Sequence, residues 1–320
     1  MQEFELIAEI FAPLAGPDRP AFGLKSDTAH WPAPDGETVV LTKDMFIEGH
    51  HFFPTADGGQ IAQKLLRVNL SDLAASGATP RGYLLGLALP DKTSREWLIA
   101  FRDGLAADQK EFRIELWGGD TVAASSLMLS LTAIGTTPEG SALSRFGARP
   151  GDALYVSGTI GDAALGLKCL NDELVPNARF IQRLLKPEPR LALGEALRGL
   201  ATAAVDISDG LVADVGHLAD ASGVGAVIEQ SKVPLSPDVR ELVEKETEYW
   251  PVILTGGEDY ELAFTIEPGR TTELVKVSQR AGVPVIRIGE ITDQGEVIVR
   301  DETGTPLQFE RTGFVHFDGA

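Results

Sequence analysis

The sequence has a single cysteine, Cys169, among its 320 residues. One cysteine cannot form an intrachain disulfide, and its apolar helical context, "ALGLKCL", favours a buried free thiol. The first residues carry Glu3, Glu5 and Glu9 where a signal peptide would be positively charged, and no apolar run is long enough to span a bilayer. We therefore expect a cytoplasmic protein that begins with an amphipathic helix.

Basic residues are also scarce. The chain has 28 Lys and Arg against 47 Asp and Glu, and its formal net charge is −19. Nucleic acids and anionic membranes bind clustered bases, so we exclude both as main partners. Small polyanions are not excluded, because Mg²⁺ bound to acidic residues inverts the local charge.

The common signatures of nucleotide and metal sites are missing. The sequence has no G-x-x-x-x-G-K-[ST] phosphate loop, no H-E-x-x-H zinc motif and no H-R-D catalytic loop. The segment "DISDGL" lacks the residue order of an EF-hand. A nucleotide site in this chain must therefore be built from other residues.

Length and composition are those of a globular protein with two domains. In the first half, short aliphatic segments that end at Gly, Pro or Asp predict strands, and helical apolar spacing separates them. The predicted strands are 38–44, 83–90, 113–120 and 127–135, and the predicted helices are 60–76 and 93–110.

The second half has the same character and predicts an α/β fold class with mixed sheets. Its expected strands are "ALYVSG", "AAVDIS", "ELAFTI" and "VPVIRIGEI", and its expected helices cover 160–171, 177–200 and 209–221. The Gly-, Arg- and Pro-rich stretch before the first of these strands predicts a boundary, so we expect domains at 1–148 and 149–320.

Acidic residues recur beside glycine or at the ends of predicted elements. They are Asp27, Asp44, Asp72, Asp120, Asp206, Asp209, Glu258 and Asp259. A single Asp at such a place is usually a helix cap or a turn former. Most of these acids have no base beside them in sequence, and half-buried carboxylates then need hydrogen bonds, protonation or metal ions. Because Mg²⁺ binds carboxylate and phosphate oxygens, the pattern predicts a polyphosphate site built from acids.

Two spacings add local detail. Asn69 and Asp72 are three residues apart on one predicted helix and can present their oxygens to one side. Asp206 closes a strand, while Ser208 and Asp209 open the next helix, a geometry that suits anions and their metals. Asp214 lies five residues further on, so we expect it to point elsewhere on that helix and to be structural.

Glycines and histidines allow more than one interpretation. Gly158 and Gly161 are equally consistent with a phosphate-binding turn and with an ordinary helix start. We interpret His217 as structural, whereas His50 and His51 give a weak signal of ligand contact.

Taken in order, eight segments of the chain resemble the thiamine-monophosphate kinase family over residues 20–317. They are "TKDMFIEGHHF", "KLLRVNLSDLAASGATP", "WGGDT", "SRFGARPGD", "VSGTIGDAALGL", "DISDGLVADVGHLA", "TGGEDYEL" and "GFVHF". The family belongs to the group related to aminoimidazole ribonucleotide synthetase. The resemblance implies an N-terminal sheet domain that dimerises and binds ATP and Mg²⁺, and a C-terminal α/β domain that completes the active site.

The resemblance also implies a reaction and its residues. The γ-phosphoryl of ATP moves onto thiamine monophosphate, giving thiamine diphosphate, with several Mg²⁺ ions. The implied metal positions are Asp27, Thr42, Asp44, Asp72, Asp120, Asp206 and Asp209. The implied ATP contacts are Gly119, Asp120, Arg145 and Ser208, the implied thiamine contacts are His51, Glu258 and Phe314, and the implied catalytic residues are Asp44, Arg145 and Asp209. The nucleophile is a phosphate oxygen that is mostly deprotonated at pH 7, so no general base is expected.

The chain departs from the family pattern in three places. Ser26 replaces the first acid of a Gly-Asp-Asp, Lys43 replaces the middle residue of a Thr-Thr-Asp, and Val315 stands where an Asp is common. We expect Lys43 to offset phosphate charge. Two alternatives remain: a related enzyme with another phosphate acceptor, and a nucleotide-binding homologue without turnover. Cys169 does not match the terminal reactive cysteines of selenophosphate synthetase or of the hydrogenase-maturation relative.

Overall fold

The structure is a computed structural model, and it describes residues 3–315. These residues form two compact units. The first unit contains the chain up to Leu73 together with Ala78–Gly140, and the second contains Ala74–Gly77 together with the chain from Ser141 onward. The division between the units follows Gly140, and the N–H of Leu143 donates to the carbonyl of Ser76 within the second unit, while the domain boundary expected at residues 148 and 149 stays a prediction. Among the described residues, no helix combines the length and the apolar character needed to cross a membrane.

The first unit is built on a four-stranded sheet. Its strands are β1 (Glu37–Ile47), β2 (Thr79–Leu89), β3 (Glu115–Ala123) and β4 (Met128–Pro138), and its α-helices are α1 (Glu3–Leu6), α2 (Gly58–Ala75) and α3 (Arg95–Phe112). The strand order is β1-β4-β2-β3, and only β2 and β3 are parallel. Helix α3 supplies the crossover that a parallel pair requires. All four strands predicted in this half are confirmed, with ends displaced by a few residues.

One face of this sheet packs against α2 and α3. Gln109 of α3 donates to the hydroxyl of Tyr83 on β2, and the side chain of Leu73 on α2 lies against Gly135 of β4. The two helices are joined by a buried ion pair between Arg67 and Asp108, 2.7 Å apart. Because side chains alternate along a strand, this packing leaves the other residues of each strand on an open face.

The N-terminal helix is present in broken form. A single turn of α-helix, Glu3–Leu6, is followed by a π-helical turn, Ile7–Phe11, and a 3₁₀ turn, Ala12–Leu14. The expectation of one regular helix is therefore wrong, and the change in winding leads directly into Pro13, which has no backbone N–H to donate. The apolar spacing still works as expected, because Leu6, Ile10 and Leu14 are buried.

The second unit contains a six-stranded mixed sheet of order β10-β7-β9-β5-β8-β6. Its strands are β5 (Ala153–Ser157), β6 (Ala201–Asp206), β7 (Gly225–Glu229), β8 (Leu262–Ile266), β9 (Val285–Thr292) and β10 (Val297–Arg300). Its α-helices are α4 (Asp162–Leu170), α5 (Ala178–Leu185), α6 (Leu191–Leu197), α7 (Leu211–Ser222), α8 (Pro237–Lys245), α9 (Trp250–Thr255) and α10 (Thr271–Ala281). Strands β7 and β10 were not among the strands that the sequence predicted. Aliphatic side chains from both faces of the sheet form two buried clusters.

The connection from β6 to α7 differs from expectation in one detail that matters for the site. Helix α7 begins at Leu211, with Gly210 before it at φ 134°. Ser208 and Asp209 therefore lie in a loop between strand and helix and do not open the helix. Their backbone N–H groups need partners other than helical carbonyls.

Candidate active site

Three of the expected metal positions lie together in the first unit. Thr42 and Asp44 are two residues apart on β1 and so share the face that packs on α2. The hydroxyl of Thr42 donates to a carboxylate oxygen of Asp72 on α2 at 2.5 Å. All three residues are half-buried. Carboxylate and hydroxyl oxygens are the donors that hard cations take, so this cluster fits Mg²⁺.

Asn69 lies three residues before Asp72 on α2. Its side-chain amide donates to the carbonyl of Leu65 at 2.9 Å, one turn back along α2. The residue is fully buried, and its Oδ1 has no hydrogen-bond partner among the described residues. A buried oxygen without a partner is available to a ligand, so the expectation that Asn69 and Asp72 present their oxygens to one side stays a prediction.

Lys43 lies on the opposite face of β1 from Thr42 and Asp44. Its ammonium donates to the hydroxyl of Ser130 on β4, on the open face of the sheet. The expectation that Lys43 offsets phosphate charge thus has no support at the Thr42–Asp44–Asp72 cluster, because strand alternation directs its side chain away from it.

The open face carries a cavity of about 760 Å³ within the first unit. Asp27, Gly119 and Asp120, all expected site residues, line it, and so does Lys43. Its apolar part includes the indoles of Trp31 and Trp117, whose ring centroids are 5.1 Å apart. The expected metal positions of this unit therefore fall into two sets. Asp27 and Asp120 line the cavity, and the Thr42–Asp44–Asp72 cluster lies between β1 and α2.

Gly119 has a structural reason to be glycine. A Cβ at this position would lie 1.9 Å from the carbonyl oxygen of Leu85 on the neighbouring strand. At Gly118 the nearest heavy atom would be 3.5 Å away, an ordinary contact. Close backbone approach between β2 and β3 thus requires glycine at 119 whether or not ATP binds there, and its contact with ATP stays a prediction.

His51 is held in a defined orientation. The backbone N–H of Ile47 donates to its Nδ1 at 3.1 Å, and its ring stacks on Phe46 with centroids 5.7 Å apart. Since Nδ1 accepts a hydrogen bond, the proton of the neutral ring is on Nε2. His51 can therefore present an N–H donor to a ligand.

In the second unit, the loop after β6 is organised by Asp214. Its Oδ2 accepts hydrogen bonds from the backbone N–H groups of Ser208, Asp209 and Gly210, at 2.9, 2.9 and 3.1 Å. The expectation that Asp214 points away from Asp209 is wrong. Burial, together with the smaller effect of the Asp209 charge, raises the pKa of the Asp214 carboxyl to about 7, although the three N–H groups act in the opposite direction.

Asp209, Asp214 and the exposed His217 offer ligand atoms within 4.8 Å of one another. Asp206, the last residue of β6, is buried nearby in sequence, at 3% exposure. Sequence reasoning missed the group that Asp214 and His217 form with Asp209. The available signal was the spacing Asp-x₄-Asp-x₂-His across a strand-to-helix junction.

Two expected thiamine contacts are joined to the same loop by backbone hydrogen bonds. The N–H of Glu258 donates to the carbonyl of Ser208 at 2.8 Å, and the N–H of Phe314 donates to the carbonyl of Asp209 at 3.0 Å. The ring of Phe314 is 57% exposed. The last residues of "GFVHF", from His316, lie outside the described residues.

The loop Gly158–Gly161 has an internal partner. The N–H of Gly161, which stands at φ 92° before α4, donates to the carboxylate of Asp259 at 3.0 and 3.1 Å. Burial raises the pKa of that carboxyl well above its usual range. Because the N–H of Gly161 already has a protein acceptor, the structure favours the interpretation of Gly158–Gly161 as an ordinary helix start over that of a phosphate-binding turn.

Arg145 lies in an exposed segment of the second unit. Its carbonyl accepts a hydrogen bond from the hydroxyl of Ser222, at the end of α7. The adjacent Ser144 carbonyl accepts from the N–H of Ala204 on β6. This segment therefore follows the strand that ends at Asp206, while the contact of Arg145 with ATP stays a prediction.

The sequence and the fold match one class of protein. Residues 25–137 match the family model described as "AIR synthase related protein, N-terminal domain", and residues 149–302 match "AIR synthase related protein, C-terminal domain". Over 322 residues the chain is 39% identical to the thiamine-monophosphate kinase of Caulobacter vibrioides, covering 98% of this chain and 90% of that protein. The chain belongs to the thiamine-monophosphate kinase family.

Two solved structures show the same fold. The thiamine-monophosphate kinase of Stenotrophomonas maltophilia K279a has a TM-score of 0.84 at 39% identity, covering 93% of this chain and 96% of that one. AaThiL complexed with AMPPCP and TMP has a TM-score of 0.78 at 31% identity, covering 89% of each chain. The two-domain α/β fold that the sequence predicted is confirmed.

Proposed function

We propose that this protein transfers the γ-phosphoryl group of ATP to thiamine monophosphate, giving thiamine diphosphate and ADP in a Mg²⁺-dependent reaction. Family membership over nearly the whole chain supports the reaction, and the AaThiL complex with AMPPCP, an analogue of ATP, and TMP supports both substrates. The observation that carries the proposal is the loop Ser208–Gly210. It joins expected ATP and metal residues to the expected thiamine contacts Glu258 and Phe314.

The proposed roles follow from chemistry and from the observed contacts. Thr42, Asp44 and Asp72 would hold metal in the first unit, as would Asp27 and Asp120 at the cavity, and Asp206 and Asp209 would hold metal in the second. Bound Mg²⁺ supplies charge neutralisation for two polyanions that otherwise repel each other. Gly119, Asp120, Arg145 and Ser208 would bind ATP, and His51 would donate from Nε2 to the thiamine substrate.

The proposed site residues position the two substrates and do not transfer protons. The acceptor phosphate oxygen is already mostly ionised at pH 7, because the second pKa of a phosphate monoester is about 6. In-line phosphoryl transfer then depends on alignment and on compensation of charge, to which Arg145 contributes a fixed positive charge. Phe314 offers an exposed aromatic face for the rings of thiamine.

The test is ADP release from ATP by the purified protein, with thiamine monophosphate, thiamine or no acceptor, each with and without Mg²⁺. We expect release only when thiamine monophosphate and Mg²⁺ are both present. Release with another phosphate acceptor would show a related enzyme of different specificity. Mg²⁺-dependent ATP binding without release would show a homologue without turnover.

We also propose that the protein is a homodimer formed through the open face of the first sheet. Side chains on that face are large, apolar and exposed: Val39 41%, Leu41 65%, Met45 46%, Leu84 39% and Val122 51%. Contiguous exposed apolar surface is typical of an interface, and a second copy of the same sheet would cover it isologously. Analytical ultracentrifugation should give a dimer for the native protein and a monomer for Leu41→Asp. A native monomer would refute the proposal.

The cytoplasmic location stays a proposal. It is supported by Cys169, a buried free thiol whose sulfur lies 3.3 Å from the carbonyl oxygen of Val175. Free thiols persist in a reducing compartment. Fractionation of cells that express the native chain tests it.

A further inference from the structure

A single carboxylate oxygen controls the backbone of the loop that carries Ser208 and Asp209. Three consecutive N–H groups, those of Ser208, Asp209 and Gly210, converge on Oδ2 of Asp214. The Asp214 side chain is 1% exposed, so water does not replace it as an acceptor. Ser208 and Asp209 are half-buried and Gly210 is buried, and N–H groups shielded from water are costly without an acceptor, so the three bonds fix the loop to the position of that one oxygen.

The other side of the loop is fixed by the segments that carry the thiamine contacts. The carbonyls of Ser208 and Asp209 accept from the N–H groups of Glu258 and Phe314. At Gly257, a Cβ would lie 2.3 Å from the carbonyl oxygen of Ser208, so the segment approaches as closely as glycine allows. Movement of the loop must therefore move both segments with it.

We propose that Asp214 is a positioning residue that sets the loop Ser208–Gly210 for both substrates at once. Asp214 acts through the backbone of its neighbours and touches neither substrate. Its position, and not its charge, is what the reaction uses. The kinetic part of this inference depends on the proposed kinase function.

One rival interpretation uses the same residues. Asp214 lies with Asp209 and His217 in a group whose ligand atoms are within 4.8 Å of one another, so Asp214 could instead be a metal ligand. The two interpretations make opposite demands on the side chain. A metal ligand must keep its negative charge, whereas a positioning residue must keep an acceptor oxygen in one place.

Two substitutions separate these demands. Asp214→Asn removes the charge and keeps an acceptor oxygen at the same distance from the backbone. Asp214→Glu keeps the charge and moves the carboxylate outward by one methylene. His217→Gln removes the third member of the rival metal group, and Asp220→Asn, at an exposed position on α7, is the matched control for loss of one negative charge on the same helix.

The kinetic measurement is kcat and the two KM values, for ATP and for thiamine monophosphate, at saturating Mg²⁺. We expect Asp214→Asn, His217→Gln and Asp220→Asn to stay within about 5-fold of the native kcat/KM. We expect Asp214→Glu to lose about 100-fold, the size of effect that misplacement by about 1 Å produces, with both KM values raised together. If Asp214→Asn and His217→Gln were impaired while Asp214→Glu stayed active, Asp214 would be a metal ligand and the proposal would be overturned.

A second measurement does not depend on catalysis. Amide hydrogen exchange of residues 207–211 in the native protein without nucleotide should be slow, and Asp214→Asn should keep that protection. Asp214→Glu should raise the exchange rate of these amides by about 10-fold or more, while the rest of α7 is unchanged. Equal exchange in the Asn and Glu variants would overturn the positioning role, even if the native protein proved to have no activity toward thiamine monophosphate.

Discussion

Substitution of Gly119 by alanine tests the close approach of β2 and β3. The added methyl would lie 1.9 Å from the carbonyl oxygen of Leu85, about 1.5 Å short of the 3.4 Å at which ordinary contact begins. The obstacle is backbone, so it cannot rotate away as a side chain would. The two strands must separate locally, or the strand must shift its register.

The expected magnitude follows from the parts of that rearrangement. Overpacking of a buried site costs about 1 to 3 kcal/mol, and each interstrand hydrogen bond that is weakened costs about 0.5 to 1.5 kcal/mol. Alanine regains about 0.5 to 1 kcal/mol over glycine, because it restricts the unfolded chain. We therefore expect Gly119→Ala to lower the free energy of unfolding of the first unit by about 2 to 3 kcal/mol.

Gly118 provides the matched control. Its Cβ would meet only the side chain of Leu84, at 3.5 Å. Gly118→Ala should therefore leave stability unchanged or raise it by up to about 1 kcal/mol. The two variants make the same chemical change at adjacent positions of one strand.

The assay is urea unfolding followed by tryptophan fluorescence. Trp31, Trp97 and Trp117 belong to the first unit and only Trp250 to the second, so the signal reports mainly on the unit that carries the substitution. Equal stability of the two alanine variants would refute the reasoning. The glycine at 119 would then be explained by a ligand contact alone, and only activity would distinguish the variants.

Three further predictions follow from the contacts described. Asp209→Asn should leave the fold unchanged by circular dichroism and lower turnover by about 100-fold or more, because a carboxylate that would hold Mg²⁺ beside the phosphates is lost; near-normal turnover would contradict its role. Because burial raises the pKa of Asp259 in the folded protein, protonation of its carboxyl stabilises the fold. This stabilisation is fully present below pH 3.8, the pKa in the unfolded chain, and is lost as pH rises through the folded pKa. Asp259→Asn keeps an acceptor for Gly161 and should therefore gain stability relative to the native protein as pH rises above about 4, and a stability difference between the two proteins that is the same at every pH in urea unfolding would contradict this. Asp108→Ala should cost about 3 to 5 kcal/mol in urea unfolding, because it leaves the buried guanidinium of Arg67 without its buried, two-point carboxylate partner, while the exposed Glu111 remains at 2.7 Å; a loss below 1 kcal/mol would show that other acceptors replace it.

Local sequence patterns predicted the elements of the fold well and their ends less well. The strand that carries Thr42 and Asp44 was predicted because its residues are β-branched or aliphatic and end at an Asp. Its pairing with β4 and the contact of Thr42 with Asp72, 30 residues away, depend on tertiary packing that no local pattern encodes. The carboxylate cluster was therefore predicted as a list of residues and not as a geometry.

Asp214 shows why part of the site could not be predicted. Five residues along an α-helix correspond to a rotation of about 140° beyond one turn, so a helix that begins at 209 would direct Asp209 and Asp214 apart. The helix begins at Leu211, and Asp209 lies in the loop that folds back over it. An error of two residues in a helix start thus reversed the expected relation of two side chains.

Strand β1 carries two interleaved sets of residues. Positions 42 and 44 face the acid of α2, while positions 39, 41, 43 and 45 lie on the open face. A substitution on the open face therefore leaves the side chains of Thr42 and Asp44 in place. Lys43, which departs from the family pattern, is such a substitution. The same separation gives protein engineers an independent handle, since the side chains of the open face, including those that line the cavity, can be altered at odd positions while Thr42 keeps its contact with Asp72.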